Sequence, residues 1–181
     1  MTRASHRCRS CGGASLTTVL SLGRTPLANA LLTAEQLSRP EPTYPLDLAF
    51  CPACSLVQIT ESVSAETLFR EYLYFSSFSD TMLRHSQELV QRLTKKCELG
   101  AESLVVELAS NDGYLLQYYK QAGIPVLGIE PAVNVARVAE ERGIPTLCEF
   151  FGDDLARELV ASGKRADVVH ANNVLAHVPD L

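Results

Sequence analysis

Val105-Val106-Glu107-Leu108-Ala109-Ser110-Asn111-Asp112-Gly113-Tyr114-Leu115-Leu116 is the stretch that sets the fold of most of this chain. An apolar run ends in an acidic residue, crosses several small or turn-forming residues and enters a helix-period pattern. That is how a buried parallel strand feeds a loop at the mouth of an α/β sheet. Further on, Val126-Leu127-Gly128-Ile129-Glu130-Pro131 repeats the form, with a carboxylate at the strand's carboxyl end. Ligands of doubly wound sheets bind along that edge, where the first loop faces a nucleotide and the second strand's acid takes ribose hydroxyls. A nicotinamide site needs G-x-G-x-x-G, and Ala109 to Tyr114 holds a single glycine. The loop therefore reads as one for an adenosyl cofactor rather than a pyrophosphate.

Downstream, the same alternation continues. Tyr114 to Ala122 reads as a helix ended by Gly123, and Pro125 opens the second strand. Pro131 starts a helix whose Val135, Ala136 and Ala139 face the sheet and whose stop is Gly143. Thr146 to Cys148 is a short third strand, Asp153 to Ser162 a helix, and Ala166 to Ala171 a fourth strand ending at Asn172-Asn173. Strand and helix in this order mean a parallel, doubly wound, Rossmann-like sheet. With the fourth strand expected at the centre of such a sheet, this one reads as incomplete, the front half of a longer protein.

Upstream, Cys8-Arg9-Ser10-Cys11 and Cys51-Pro52-Ala53-Cys54 are two C-x-x-C turns. Two intervening residues let both thiolates of a turn point inward, and two facing turns give a closed four-thiolate zinc site of structural type. Its binding energy substitutes for the core that so short a segment lacks. Between and after the turns, Leu16 to Leu22, Leu46 to Phe50 and Leu56 to Ile59 read as strands of a small antiparallel sheet; Leu46, Leu48 and Phe50 alternate with Asp47 and Ala49. His6 is a less favoured substitute ligand, and Cys97 and Cys148 read as buried small apolar residues. Ser64 is set to cap a helix carrying Leu68, Phe69, Tyr72 and Leu73, and Ser79 or Asp80 a longer one running to about Glu98. The aromatic, serine-rich link between them, Tyr74 to Asp80, reads either as a core cap between subdomains or as a lid presenting Tyr72 or Tyr74 to a ligand.

Composition narrows the function classes. The 181 residues are 46% hydrophobic and 20% charged, ordinary for a globular protein, and the net charge of −5 argues against a broad nucleic-acid surface. No segment approaches the roughly 20 apolar residues needed to span a bilayer, and no export signal precedes Cys8, so the six cysteines point to a reducing, cytoplasmic setting.

Glu130 is the leading ribose ligand; Ala109, Ser110, Asn111 and Gly113 keep the loop small enough for close cofactor approach, and Pro131 follows the acid. Phe150 or Phe151 can lie against an adenine ring, and Asn172 and Asn173 offer amides at the fourth strand's end. His177 follows that end and is suited to proton transfer near neutral pH, His85 reads as structural or solvated, and His170 as a hydrogen-bonded core residue.

Taken jointly, these motifs carry a resemblance. They are the two cysteine turns with Leu56-Val57-Gln58; Pro26-Leu27-Ala28-Asn29; Tyr72-x-Tyr74-x-Ser76-Ser77-x-Ser79-x-x-Met82-x-x-His85; Glu107 to Gly113; Gly128 to Ala136; and Ala171-Asn172-Asn173-Val174-Leu175-Ala176-His177-Val178. Along essentially its whole length the chain resembles the amino-terminal part of the S-adenosylmethionine-dependent deoxysugar C-methyltransferases, which act on nucleotide-linked 4-keto sugars in antibiotic biosynthesis. The resemblance implies a zinc-binding domain over residues 1–62, a helical linker or lid over 63–100 and the first half of a class I methyltransferase domain over 101–181. It also implies a further carboxyl-terminal domain, whose Tyr-His-Glu-His stretch, thought to hold the catalytic base, falls beyond Leu181. In the reaction so implied, the C4 ketone acidifies the hydrogen on C3 (favoured over C5), a base removes it, and the enolate carbon attacks the sulfonium methyl. Tyr74 and His177 are implied to line that pocket as enolate donor, proton relay or substrate clamp. Competing readings are a zinc-ribbon RNA methyltransferase, which needs a basic face, and a zinc-binding scaffold without turnover.

Overall fold

The computed structural model describes residues 6–178, which divide into two compact units: residues 6–68 with His177 and Val178, and residues 69–176. Among the described residues no helix is long and apolar enough to cross a membrane.

The first unit is a three-stranded antiparallel sheet in the order β1-β2-β3, formed by β1 (Thr17–Thr25), β2 (Tyr44–Phe50) and β3 (Val57–Ile59), followed by one turn of helix, α1 (Ala65–Phe69). Ser64 Oγ accepts from the Thr67 amide at 3.3 Å, the expected cap. The alternation along β2 runs opposite to expectation. Ala49 is the buried residue, and Leu46, Leu48 and Phe50 are only half-buried. The reason lies across the strand pair. Ala49 pairs with Gln58, which is buried because its side-chain amide accepts from Arg9 N (3.0 Å) and donates to the Arg7 carbonyl (3.3 Å). The amino-terminal cysteine turn thus docks over the small residue, and the apolar cross-strand row Leu20–Leu48–Ile59 is left partly in solvent.

The second unit is a four-stranded parallel sheet in the order β6-β5-β4-β7: β4 (Val105–Leu108), β5 (Val126–Ile129), β6 (Thr146–Leu147) and β7 (Val168–His170). The fourth strand lies at an edge, beside β4. Helices α2 (Asp80–Lys96), α3 (Leu116–Gln121), α4 (Val133–Glu141) and α5 (Asp153–Ala161) accompany it. Successive residues of β4 enter different cores, as burial on both faces of a parallel sheet requires. Val105 packs with Val90, Leu115, Leu116 and Tyr119, while Val106 packs with Leu127, Ile129 and Leu159. Ser79, not Asp80, caps α2, accepting from the Met82 amide at 3.2 Å.

Two expectations shift here and a third holds. The helix after Ser64 ends at Phe69 rather than near Leu73, because both backbone groups of Tyr72 are taken by the Asn134 side chain, at 3.1 and 2.7 Å. Cys97 and Cys148 are exposed rather than buried: Cys97 closes the end of α2, and Cys148 follows the two-residue strand β6. His170 is the core residue its sequence context suggested, buried with Nε2 3.0 Å from the hydroxyl of the fully buried Tyr119.

Gly128 allows the closest approach in this sheet. A Cβ there meets Ser110 Oγ at 2.5 Å and Thr146 Oγ1 at 3.1 Å, so β5 and the loop after β4 pack with no room for a methyl. Gly128→Ala is expected to destabilise the second unit by about 1–3 kcal/mol, the usual cost of overpacking a dense interior, read as a lowered midpoint in urea unfolding.

Candidate functional site

The loop after β4 owes its shape to three left-handed residues, Ala109 (φ 50), Asn111 (φ 52) and Gly113 (φ 75). A Cβ on Gly113 meets Ile144 Cγ1 at 2.8 Å, so both backbone sign and space require glycine there. Asparagine is among the side chains that tolerate this region best, and alanine at 109 holds it against its own preference. The turn aims backbone amides toward β5. Asn111 N–H donates to Glu130 Oε2 at 2.8 Å, and Ala132 N–H donates to Oε1 at 2.8 Å. Glu130 is 5% exposed, and burial raises its pKa against the opposing pull of those two amides. An ionised carboxylate has about four acceptor positions, so two backbone donors leave capacity for a diol.

Glu107 stands at the end of β4 and is completely buried. Its Oε1 accepts from Asn172 Nδ2 at 3.2 Å, while its Oε2 has no partner. Burial pushes its pKa up to about 8, with Asn172 and Tyr114 acting the other way. Asp112, also fully buried, has one orphan oxygen, as does Ser110 at its hydroxyl. Three buried carboxyls and several unpartnered polar atoms around a tight loop are what a site built for a polar ligand leaves behind. The residues thus fit an adenosyl cofactor: a left-handed loop of small residues, a strand-end acid with spare acceptor capacity, and buried polar atoms lacking partners.

The other sequence candidates are distributed less tightly. Pro131 is half-buried and its carbonyl accepts from Arg70, while Phe150 is covered by the Arg70 guanidinium, 5.7 Å from the ring centroid. Phe151 is exposed. Asn173 is exposed and left-handed (φ 57), so at the end of β7 it is Asn172 that reaches the acid cluster. Tyr74 is half-exposed, its carbonyl accepting from Asn111 Nδ2 at 3.0 Å. Tyr74 belongs to the second unit and His177 to the first, and His85 is exposed on α2. Glu107, Asp112 and Arg142 were missed as site residues. For Glu107 the signal was present, an acid ending a buried strand; for Arg142, 30 residues from the Asp112 it pairs with at 2.8 Å, no local signal exists.

In the first unit the four cysteines converge. Their sulfurs lie within 4.8 Å of one another, with Cys8–Cys54 at 3.5 Å and Cys11–Cys51 at 3.6 Å, and none is in a disulfide. Tetrahedral zinc with bonds of about 2.3 Å needs sulfurs about 3.8 Å apart, so the set fits. The two turns are built alike. Cys8 N donates to Gly13 O and Gly12 N to Cys8 O; Cys51 N donates to Leu56 O and Ser55 N to Cys51 O. The left-handed position is Gly12 (φ 70) in one and Ser55 (φ 63) in the other. The Cys11 backbone amide, first among several hydrogen bonds, lowers the Cys8 thiol to about 6. Cys54, although the Leu56 backbone amide lowers it, is pushed up to about 12 by the neighbouring thiols, so one sulfur of the pair carries the charge until a cation sits between them. His6 is exposed and outside the set.

Comparison with known proteins agrees with both units. A family model described as "Putative zinc binding domain" matches residues 8–69, and one described as "Methyltransferase domain" matches residues 80–181. The chain is 34% identical over 179 residues to the C-methyltransferase NovU of Streptomyces niveus, covering 99% of this chain and 43% of that protein. It is 30% identical over 112 residues to a ubiquinone biosynthesis O-methyltransferase of Methylobacterium, covering 58% of this chain and 44% of that protein. Among solved structures, a methyltransferase from Thiobacillus denitrificans in complex with S-adenosyl-L-homocysteine aligns with a TM-score of 0.29 and 18% identity, over 61% of this chain and 36% of that one. The chain therefore spans less than half the length of the curated relatives it matches.

Two outcomes follow from this geometry. Elemental analysis is expected to find one zinc per chain, lost in Cys51→Ser; full occupancy surviving that change removes the four-thiolate site. For Glu107, a folded pKa of about 8, above the ordinary carboxyl value of 4.5, means that the native state holds a proton the unfolded chain has released. Its contribution therefore falls as pH rises from about 4.5 to about 8. Urea unfolding at the two ends of that window is expected to show a smaller loss of stability in Glu107→Gln than in the parent, with a residual slope from Glu130.

Proposed function

From its membership of the methyltransferase-domain family, to which this chain belongs, we propose that it is the amino-terminal part of an S-adenosylmethionine-dependent C-methyltransferase. Its proposed substrate is a nucleotide-linked 4-keto-deoxysugar of antibiotic biosynthesis, methylated at C3 in the cytoplasm, with the rest of the catalytic machinery in a further carboxyl-terminal domain. The observation that carries this reading is the strand-end pair of Glu130 and the Asn111 turn, held together by the 2.8 Å hydrogen bond from the loop amide. The 34% match to a C-methyltransferase along 99% of the chain, cysteine turns included, supports the class of methyl acceptor.

When bound, S-adenosylmethionine supplies an electrophilic methyl group on a sulfonium. Glu130 accepts the ribose hydroxyls with the acceptor positions its two backbone donors leave open. Ala109, Ser110 and Gly113 let the backbone approach the ligand closely, and Glu107 and Asn172 present polar atoms from the neighbouring strand ends. Pro131 and Phe150 flank the adenine side, and Asn173 the far end of the edge. For the sugar, the resemblance assigns Tyr74 and His177 to hold or relay the proton that leaves C3. The four thiolates saturate zinc, so the metal in this reading holds the first unit together and does no Lewis-acid work.

Titration calorimetry with S-adenosylhomocysteine tests the cofactor half directly. The chain is expected to bind it, and Glu130→Ala to weaken binding by about ten- to a hundredfold, the range for hydrogen bonds to a charged group. Unchanged affinity takes Glu130 out of the site. For the sugar, the full-length enzyme with a nucleotide-linked 4-keto-6-deoxyhexose is expected to yield a product one methyl heavier by mass spectrometry, preceded by solvent exchange at C3.

A further inference from the structure

Residues 72–77 form a short aromatic strap with almost no regular structure of its own, only one 3-10 turn at Ser76–Phe78. Four of its backbone groups are nonetheless held by two asparagine side chains, one on α4 and one in the loop after β4. Asn134, on α4, clamps Tyr72 at both ends of its peptide, accepting from N–H at 3.1 Å and donating to the carbonyl at 2.7 Å. Asn111 repeats the device one step along, accepting from Ser76 N–H at 2.8 Å and donating to the Tyr74 carbonyl at 3.0 Å. Next to it, Asp112 Oδ2 accepts from the Ser77 hydroxyl. Arg142, at the end of α4, closes the circuit: one guanidinium nitrogen reaches Asp112 Oδ2 (2.8 Å), the Asp112 carbonyl (3.1 Å) and Ser77 Oγ (3.2 Å).

The two asparagines imitate an edge strand. Each side-chain amide offers one donor and one acceptor, as a peptide group does, so an extended segment is fixed with no strand beside it. Asn111 stands at the junction of two functions. Its backbone N–H holds Glu130, and its side chain holds the strap. Asp112 is fully buried and its ion-pair partner half-exposed, so the loop's conformation and the strap's position share one low-dielectric network.

The geometry points to Asn111, Asp112, Asn134 and Arg142 as positioning residues that lock the aromatic strap and the cofactor loop into one cooperative unit. A ligand that orders the loop orders the strap, and release of the strap at a distance loosens the loop. This rests on the cofactor reading above for its ligand, but the mechanical link belongs to the protein alone. The physical content is a shared equilibrium: two segments whose open states occur together exchange their amides together.

Amide hydrogen exchange in the 181-residue chain tests it, with and without S-adenosylhomocysteine. Asn134→Ala frees Tyr72 and touches no atom of the loop. It is expected to speed exchange at Asn111 and Gly113 by about tenfold and to weaken S-adenosylhomocysteine by a similar factor, a typical coupling between sites. Arg142→Ala is expected to do the same and to speed Ser76, and Arg142→Lys, whose ammonium can reach the same oxygens, to recover part of both effects. Ser77→Ala, a milder cut of the same network, gives the reading should Asn134→Ala not fold. Exchange at Asn111 and Gly113 that stays at the parent rate while Tyr72 exchanges faster overturns the coupling. A parent chain that does not bind S-adenosylhomocysteine sinks the cofactor reading, and the exchange rates without ligand still decide the coupling.

Discussion

The second unit depends on a single buried carboxylate that two turns share. Glu130 accepts from the amide of Asn111, in the loop after β4, and from that of Ala132, which leads into α4. Both donors belong to chain that has just left a strand and cannot complete a ladder, the position where orphan amides accumulate. A carboxylate satisfies them with charge-assisted bonds, roughly twice as strong as neutral ones, and this offsets much of its own desolvation. The left-handed residues of the loop follow from that constraint. The chain must turn sharply enough to present Asn111 N–H to a side chain on the next strand, and it does so through φ values of 50, 52 and 75.

The first unit meets the opposite difficulty. Its sheet buries little: among its described apolar residues only Cys8, Ala49 and Cys51 are in the core, two of them metal-ligand candidates. A unit of about 60 residues with so small an interior lies in the range where disulfides or metals supply what packing does not. Four sulfurs within 4.8 Å, presented by two turns of the same hydrogen-bond pattern, meet that need through bonds rather than area. Gln58 extends the arrangement, tying the backbone at Arg7 and Arg9 to β3 so that the amino-terminal turn is held on both sides.

Much of this was legible from residue order alone. Every strand of the parallel sheet was marked by an apolar run and a turn signal, and the cysteine spacing named the metal set, because both are local patterns with a fixed period. Legibility failed where partners are distant in sequence. Ala49 is buried in place of Leu48 because Gln58 and the backbone at Arg7 cover it, and α1 stops at Phe69 because Asn134 takes the Tyr72 peptide. Neither pattern nor propensity near those residues carries that information. Of the site, the sequence singled out Glu130 and the small loop residues, but it gave no hint that Asn111 holds the strap or that Arg142 reaches Asp112.

Glu107 and Glu130 end adjacent parallel strands, both buried, yet their surroundings assign them different chemistry. Glu130 has a backbone donor on each oxygen. Glu107 has one amide side chain on one oxygen and nothing on the other, and burial carries its pKa to about 8. Burial therefore favours the protonated form of Glu107, which can donate as well as accept, while each oxygen of its neighbour already accepts from a backbone amide. Two identical side chains thereby offer a ligand different hydrogen-bonding faces along one sheet edge. The difference lies in the donors: the left-handed turn brings Asn111 N–H to Glu130, whereas the Asn172 amide meets one oxygen of Glu107 and the other is left to be completed by whatever occupies the site.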